Sequence, residues 1–267
     1  MTTNDYLTAD LGANRQSGGA EFMTGIARSY GGARGIPSGP RVPDLPDSVA
    51  RATLEMQTRA FRDATAAPGR YPVIVFMIPL GGTGASDSFL LAERLAAHGN
   101  IVVSGAPPSG VAPGTSFEDY LDLIKQSAHR VTEAALQLPG VDSLRAFAVD
   151  PTGSTALVLE HERARFAGVV AFDEMPFGDR RRQVLQQSFP TLRAHVLYVP
   201  LGDPSPNAQL IALIPPTRIA TLVIPGARHG LLSPWGAYFQ AQMGNRVEGY
   251  ETAVNRVLRF VRETQRR

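Results

Sequence analysis

Short apolar runs alternate with longer amphipathic segments along most of the chain. The run Tyr71–Ile78 is almost continuous in apolar residues, and similar runs occupy 101–103, 144–149, 167–172, 195–199 and 220–224. Runs of this length and composition are typical of strands buried on both faces of a parallel sheet. Apolar and polar residues also alternate over 51–62, which predicts one further strand.

The segments between these runs carry the signals of helices. One helix is expected to begin near Ser86 or Asp87 and to end at Gly99, and a longer one is expected to begin after Ser116. The last segment has apolar residues at helical spacing, at Tyr250, Val254, Val257, Leu258 and Val261. Strands that alternate with helices predict an α/β fold with a mostly parallel central sheet and helices on both faces.

Glycine and proline are concentrated before residue 48, where they interrupt any regular element. We therefore expect residues 1–48 to be an extended arm with at most a short helix at 21–29. Residues 49–267 are expected to be one domain, because a chain of 267 residues does not require two.

Composition excludes several classes of site. The chain has no cysteine, which rules out disulfides and thiolate chemistry. Its formal charge is +2, and its basic runs at 180–182 and 266–267 are expected on the solvated surface rather than on nucleic acid. No His, Asp or Glu cluster has the spacing of a metal site, so neither a metal nor a cofactor is expected. No apolar segment approaches 18 residues and no signal peptide is seen, so we expect a cytoplasmic protein without membrane contact.

In a parallel α/β sheet, ligands bind beyond the carboxyl ends of the strands. The loops after Ile78, Val149, Val199 and Ile224 are therefore the places to look for chemistry. A small-molecule ligand is expected there, and the sequence leaves the oligomeric state open.

Several of these segments resemble the α/β-hydrolase superfamily, and in particular its cap-less esterases similar to dienelactone hydrolase and platelet-activating-factor acetylhydrolase. The resemblance is carried by the segments 71–76, 80–83, 91–99, 153–157 and 224–230, and it extends from about residue 51 to the C-terminus. It implies an α/β-hydrolase fold without a large cap, since only residues 174–194 separate two predicted strands. It also implies that His229 is the general base and that Asp203 orients its imidazole.

The sharp turn at residues 150–154, called the elbow below, lacks the Gly-x-Ser-x-Gly pattern of this superfamily. Matching residues 153–157 to the superfamily places Asp150 at the nucleophile position, and the spacing of Asp150 from Asp173 fits one helix and one strand. Two other registers place Pro151 or Thr152 there. No register gives a serine.

The groups that would stabilise an oxyanion are changed as well. With Asp150 as nucleophile, the next residue is Pro151, which has no backbone N–H to donate. The superfamily's His-Gly pair is replaced by Ile78 and Pro79, so the Leu80 N–H is the remaining candidate donor. With Thr152 as nucleophile, an N–H at the next residue would be available. Trp235 is either a pocket-lining residue or part of the core.

The sequence therefore supports three hypotheses about function. The first is an atypical hydrolase of a small ester or lactone, which uses His229, Asp203 and an Asp150 nucleophile. The second is a lyase or cyclase in which the His–Asp dyad acts as a general base without an acyl-enzyme. The third is a non-catalytic pseudo-hydrolase that binds a ligand or a partner. The substrate and the pathway are left open.

Overall fold

The computed structural model describes residues 67–77, 89–105, 115–151, 153–163, 166–173, 177–201, 207–225, 227 and 248–266. Six strands lie in these ranges: β1 (Tyr71–Phe76), β2 (Ile101–Ser104), β3 (Val141–Asp150), β4 (Gly168–Asp173), β5 (His195–Pro200) and β6 (Ile219–Thr221). Six helices accompany them: α1 (Phe89–Ala97), α2 (Phe117–Leu136), α3 (Thr155–Arg163), α4 (Asp179–Ser188), α5 (Ala208–Ile211) and α6 (Glu248–Gln265). A 3₁₀ turn at Phe189–Thr191 follows α4.

The strands form one sheet in the order β2-β1-β3-β4-β5-β6, and every neighbouring pair is parallel. The predicted parallel sheet is thus confirmed. β3 lies in its interior, between β1 and β4, so the turn that follows β3 leaves the middle of the carboxyl edge. That is the edge at which ligands bind in sheets of this kind.

Alternate side chains of the strands enter two separate cores. On one face of the sheet, β1 and β3 residues pack with apolar residues of α2, α3, α4 and α5. On the other face, they pack with α1 and α6. The apolar positions predicted for the last helix are all buried: Tyr250, Val254, Val257, Leu258 and Val261. Helices on both faces explain why β1, β4 and β5 are apolar along most of their length.

The first half of β3 differs from the prediction. The residues from Leu144 onward were expected to form a buried strand, but Leu144 is 88% exposed. The pairing of β1 with β3 shifts register between Pro72 and Val73, which pair with Asp142 and Ala146. The extra residues of β3 therefore bulge out of the ladder, and the strand is buried without interruption only from Ala146 onward.

Other boundaries agree more closely. Ser116 is the N-cap of α2, as predicted, and the Asp119 N–H donates to its Oγ at 3.1 Å. The segment between β4 and β5 contains α4 and the 3₁₀ turn, in keeping with a fold that has no large cap. The last strand is shorter than predicted, and α5 was not predicted.

The strand order and the helices on both faces fit the predicted α/β-hydrolase fold. In the described ranges, no helix combines the length and the apolar character that a membrane crossing requires. The expected arm at 1–48, its short helix at 21–29 and the expected strand at 51–62 lie outside the described residues, so the division into domains stays a prediction.

Candidate functional site

Asp150 is the last residue of β3, and it pairs with Ala171 of β4 in the sheet. Its side chain is fully buried, and Pro151 after it is buried too. The carboxylate therefore lies inside the protein beneath the carboxyl edge of the sheet.

The Asp150 carboxylate contacts the start of α3. Its Oδ2 accepts a hydrogen bond of 2.7 Å from the backbone N–H of Ala156, in the first turn of that helix. The first amides of a helix have no intrahelical acceptor, and the helix dipole favours an anion at this end. Asp150 thus satisfies a buried backbone donor and places a negative charge where the helix stabilises it.

A buried arginine lies against the same turn. Arg181, in α4, is 4% exposed and donates from Nη1 to Ser154 Oγ at 2.7 Å and to Thr155 Oγ1 at 2.9 Å. Its Nη2 donates to the backbone carbonyl of Leu121 in α2. One guanidinium therefore joins three helices at the elbow.

Two opposing effects act on the Arg181 guanidinium. Burial lowers its pKa below the ordinary arginine value, and this is the largest effect. The negative charge of Asp150 acts in the other direction and is the first of the carboxylates that do so. The geometry thus places a buried anion and a buried cation at the N-terminus of α3.

The basic run at 180–182 was expected to be solvated, and for Arg181 that expectation is wrong. Arg180 is exposed and donates to the carboxylates of Asp119 at 3.1 Å and Asp122 at 3.2 Å. Arg182 is partly buried and donates to Asn207 Oδ1 at 3.3 Å. Successive helical residues point in different directions, so only the middle arginine enters the core.

Gly153 makes the elbow compact. Its φ is +74°, a left-handed conformation that favours glycine. A Cβ atom at this position would lie 2.9 Å from the backbone oxygen of Phe172, in β4. The Gly153 N–H donates to the Asp150 carbonyl at 3.2 Å, which closes the turn.

The other predicted site residues lie outside the described residues: Leu80, Thr152, Asp203, His229 and Trp235. Of the predicted set, only Asp150 is described, and the roles assigned to the whole set stay predictions. Sequence reasoning did not identify Arg181, whose guanidinium bonds the elbow. In the sequence, Arg181 is an arginine between two others in a segment expected to form one helix. This pattern gives no indication of burial.

The remaining histidines occupy the expected positions. His98 follows α1 and is exposed, His129 and His161 are in α2 and α3, and His195 begins β5. In the described part of the chain, no group of three metal-ligating side chains comes together.

An open cleft of about 290 Å³ lies between α2 and α3 and is lined by Lys125, Gln126, His129, Arg130, Leu159 and Glu162. Lys125 Nζ and Glu162 Oε1 are 2.9 Å apart across it. His129 Nε2 and Glu133 Oε1, both in α2, are 3.8 Å apart, beyond hydrogen-bond distance.

No protein-family model matches this chain, and no curated protein matches it. Solved structures resemble it in outline. A hypothetical protein from Pseudomonas aeruginosa has 14% identity and a TM-score of 0.49, over 76% of this chain and 87% of its own. An esterase of the fungus Rhizomucor miehei has the same identity and TM-score, over 98% of this chain and 95% of its own. The protein AbyA5 has 18% identity and a TM-score of 0.43, over 95% and 91%. Likenesses this distant carry no inference about activity.

Proposed function

We propose that this protein performs proton-transfer chemistry with His229 as general base and Asp203 as its orienting carboxylate, without a covalent intermediate on Asp150. The substrate class is a small ester, lactone or related carbonyl compound that binds at the carboxyl edge of the sheet. A single observation carries the proposal. The Asp150 side chain has no exposed surface, and its carboxylate accepts the Ala156 N–H.

A carboxylate nucleophile has to reach the reacting carbon of the substrate. Asp150 would have to give up its hydrogen bond to Ala156 and turn away from the Arg181 charge to do so. The hydrogen bond and the charge interaction both stabilise the resting anion rather than a transition state, and such stabilisation slows a reaction.

The residue after Asp150 also supports a non-covalent mechanism. In elbows of this fold, the residue after the nucleophile donates its N–H to the developing oxyanion. Pro151 has no such N–H, and the loss of one donor typically costs about 2.7–4 kcal/mol of transition-state stabilisation.

The conformation of Gly153 supports a register in which Pro151 occupies the nucleophile position of the elbow. The Gly-x-Ser-x-Gly pattern has a glycine two residues after the nucleophile. Gly153 has a left-handed φ and a close approach to β4, and both favour glycine. Counting back two residues gives Pro151, whose ring contains no nucleophilic atom.

General-base chemistry needs only the dyad. Neutral His229 would accept a proton from a water molecule or from an acidic C–H of the substrate. The imidazolium would then return that proton to the leaving group, and Asp203 would stabilise the charged ring meanwhile. The segment between β4 and β5, with its one α-helix, supports the narrower proposal of a cap-less enzyme similar to dienelactone hydrolases.

The test compares His229→Ala, Asp203→Asn and Asp150→Asn in the hydrolysis of p-nitrophenyl acetate. We expect the first two variants to lose turnover by about 100-fold or more, and Asp150→Asn to retain it if the variant is folded. A covalent step on Asp150 would form a mixed anhydride between its carboxylate and the acetyl group, with release of p-nitrophenolate. Mass spectrometry of rapidly quenched protein would then show an added acetyl group on residue 150, and this result would overturn the proposal.

A second candidate is a non-catalytic pseudo-hydrolase, and the burial of Asp150 and Pro151 favours it. In this case neither the wild-type protein nor His229→Ala would hydrolyse p-nitrophenyl acetate. A ligand that raises the melting temperature without being converted would identify this function.

A further inference from the structure

We infer that Arg181 is the positioning residue of the elbow, and that it fixes the turn between β3 and α3 by neutralising Asp150 and bonding the first turn of α3. The inference is independent of the chemistry proposed for His229. It concerns the shape of the site rather than the reaction.

The contacts of Arg181 extend from one helix to two others. From α4, its guanidinium donates to the hydroxyls of Ser154 and Thr155 at the start of α3. It also donates to the Leu121 carbonyl in α2. These acceptors belong to two different helices, so the position of the elbow relative to α2 and α4 depends on this one side chain.

These three acceptors are uncharged, and they do not compensate a buried cation. The positive end of the α3 dipole also lies at Ser154 and Thr155, where a cation is unfavourable. The Asp150 carboxylate lies at the same helix end, because it accepts the Ala156 N–H. Its charge offsets both the cation and the dipole.

Three further carboxylates also act on the Arg181 charge, but none of them is buried: Asp122, Glu118 and Glu162. The side chains of Asp122 and Glu162 are 42% and 38% exposed. Solvent screens charges at such positions far more than it screens a fully buried one. Asp150, which is fully buried at the same helix end as the guanidinium, is therefore the counter-ion that the double-mutant cycle below tests.

The shape of the guanidinium is required as well as its charge. A planar fork can donate in several fixed directions at once, whereas a lysine ammonium is a single point of charge on a flexible stem. Arg181→Lys should keep the neutralisation of Asp150 but lose part of the bonding to Ser154, Thr155 and Leu121.

The decisive experiment is a double-mutant cycle on the full-length protein, with unfolding followed in urea. We expect Asp150→Asn alone to raise the unfolding equilibrium constant, since it leaves the Arg181 charge buried without its counter-ion. Arg181→Met alone should raise it by about 100-fold or more, the effect of breaking a buried pair. In the Arg181→Met background, Asp150→Asn should instead lower it, because it removes an uncompensated buried anion.

Arg180→Met is the matched control, because it lies in the same helix but its ion pairs are exposed. In the Arg180→Met background, Asp150→Asn should raise the unfolding equilibrium constant by the same factor as in wild type. If Asp150→Asn is equally destabilising with and without Arg181, the two residues are not coupled, and the inference is wrong.

Amide hydrogen exchange provides a readout if Arg181→Met does not fold. In Arg181→Lys, we expect the Ala156 amide to exchange about as slowly as in wild type, because the charge is kept. In Arg181→Gln, which is uncharged, it should exchange at least about tenfold faster, since the Asp150 carboxylate loses its counter-ion. Equal Ala156 exchange in the Lys and Gln variants would overturn the charge-based role.

Discussion

Gly153 approaches Phe172 so closely that a Cβ atom at residue 153 would lie 2.9 Å from the Phe172 carbonyl oxygen. The oxygen belongs to β4, and Phe172 is paired with Val199 of β5 in the sheet, so it cannot easily move away. The room for a side chain at residue 153 is therefore limited by β4 as well as by the backbone conformation of the turn.

Gly153→Ala is expected to lower the free energy of unfolding by about 2 kcal/mol or more. Part of this loss is the strain of a side chain at positive φ, and the rest is the contact with Phe172. Gly99→Ala is the control, because Gly99 has a φ of +80° but, among the described residues, no atom lies within 4 Å of where its Cβ would be. Urea denaturation of both variants measures the difference. Equal losses would mean that β4 yields to the new methyl group.

Leu144→Ala is expected to change stability by less than about 0.5 kcal/mol, because Leu144 is 88% exposed in the bulge of β3. Phe147→Ala, in the same strand, should cost about 3–5 kcal/mol, because Phe147 is fully buried. Thermal or urea unfolding of the two variants tests this contrast. A large loss at residue 144 would show that another part of the protein covers Leu144.

Tyr250→Phe is expected to be neutral or to stabilise the protein by up to about 1 kcal/mol. Tyr250 is 4% exposed, and within the described ranges its hydroxyl has no hydrogen-bond partner. Tyr71→Phe is the comparison, since it removes a hydroxyl that donates to the Pro68 carbonyl at 3.0 Å. Urea denaturation at neutral pH measures both. A clear loss in Tyr250→Phe would reveal a partner for the hydroxyl.

Tyr250 also predicts a dependence of stability on alkaline pH. Burial raises the pKa of Tyr250 from its ordinary 10.0 to about 12. The folded protein thus keeps the phenolic proton to higher pH than the unfolded chain does. The resulting contribution to stability is complete below pH 10 and is lost as pH rises toward 12. Tyr250→Phe should lose less stability than wild type over this interval, and parallel curves would contradict the burial of the phenol.

Asp119, at the N-terminus of α2, predicts a dependence of stability on acidic pH. The hydrogen bond from Ser116 Oγ lowers the pKa of Asp119 most, and the bond from Arg180 lowers it further. The contribution of this ionised carboxylate is present above the ordinary aspartate pKa of about 3.9 and is lost as pH falls through the depressed value. An NMR titration should show that the pKa of Asp119 rises more in Ser116→Ala than in Arg180→Met. The reverse order would mean that the ion pair dominates.

The strands and the long helices were predictable from the sequence because their signals are local. A strand buried on both faces needs an unbroken apolar run, and the residues 71–76 and 195–199 form such runs. Ser116 could be identified as a cap because its hydroxyl bonds an amide only three residues away. The bulge at Leu144 could not be predicted, because it depends on the pairing of β3 with β1.

By itself, the sequence determined the α/β class, the parallel sheet and the lack of a serine at the nucleophile position of the elbow, since each of these depends on residue type and local spacing. It also assigned roles to His229 and Asp203, which stay predictions. Only the tertiary structure decided where the Asp150 carboxylate lies and which of three consecutive arginines is buried near it. Charge pairing in a core depends on how distant segments pack, and the same arginine side chain is solvated at residue 180 and buried at residue 181.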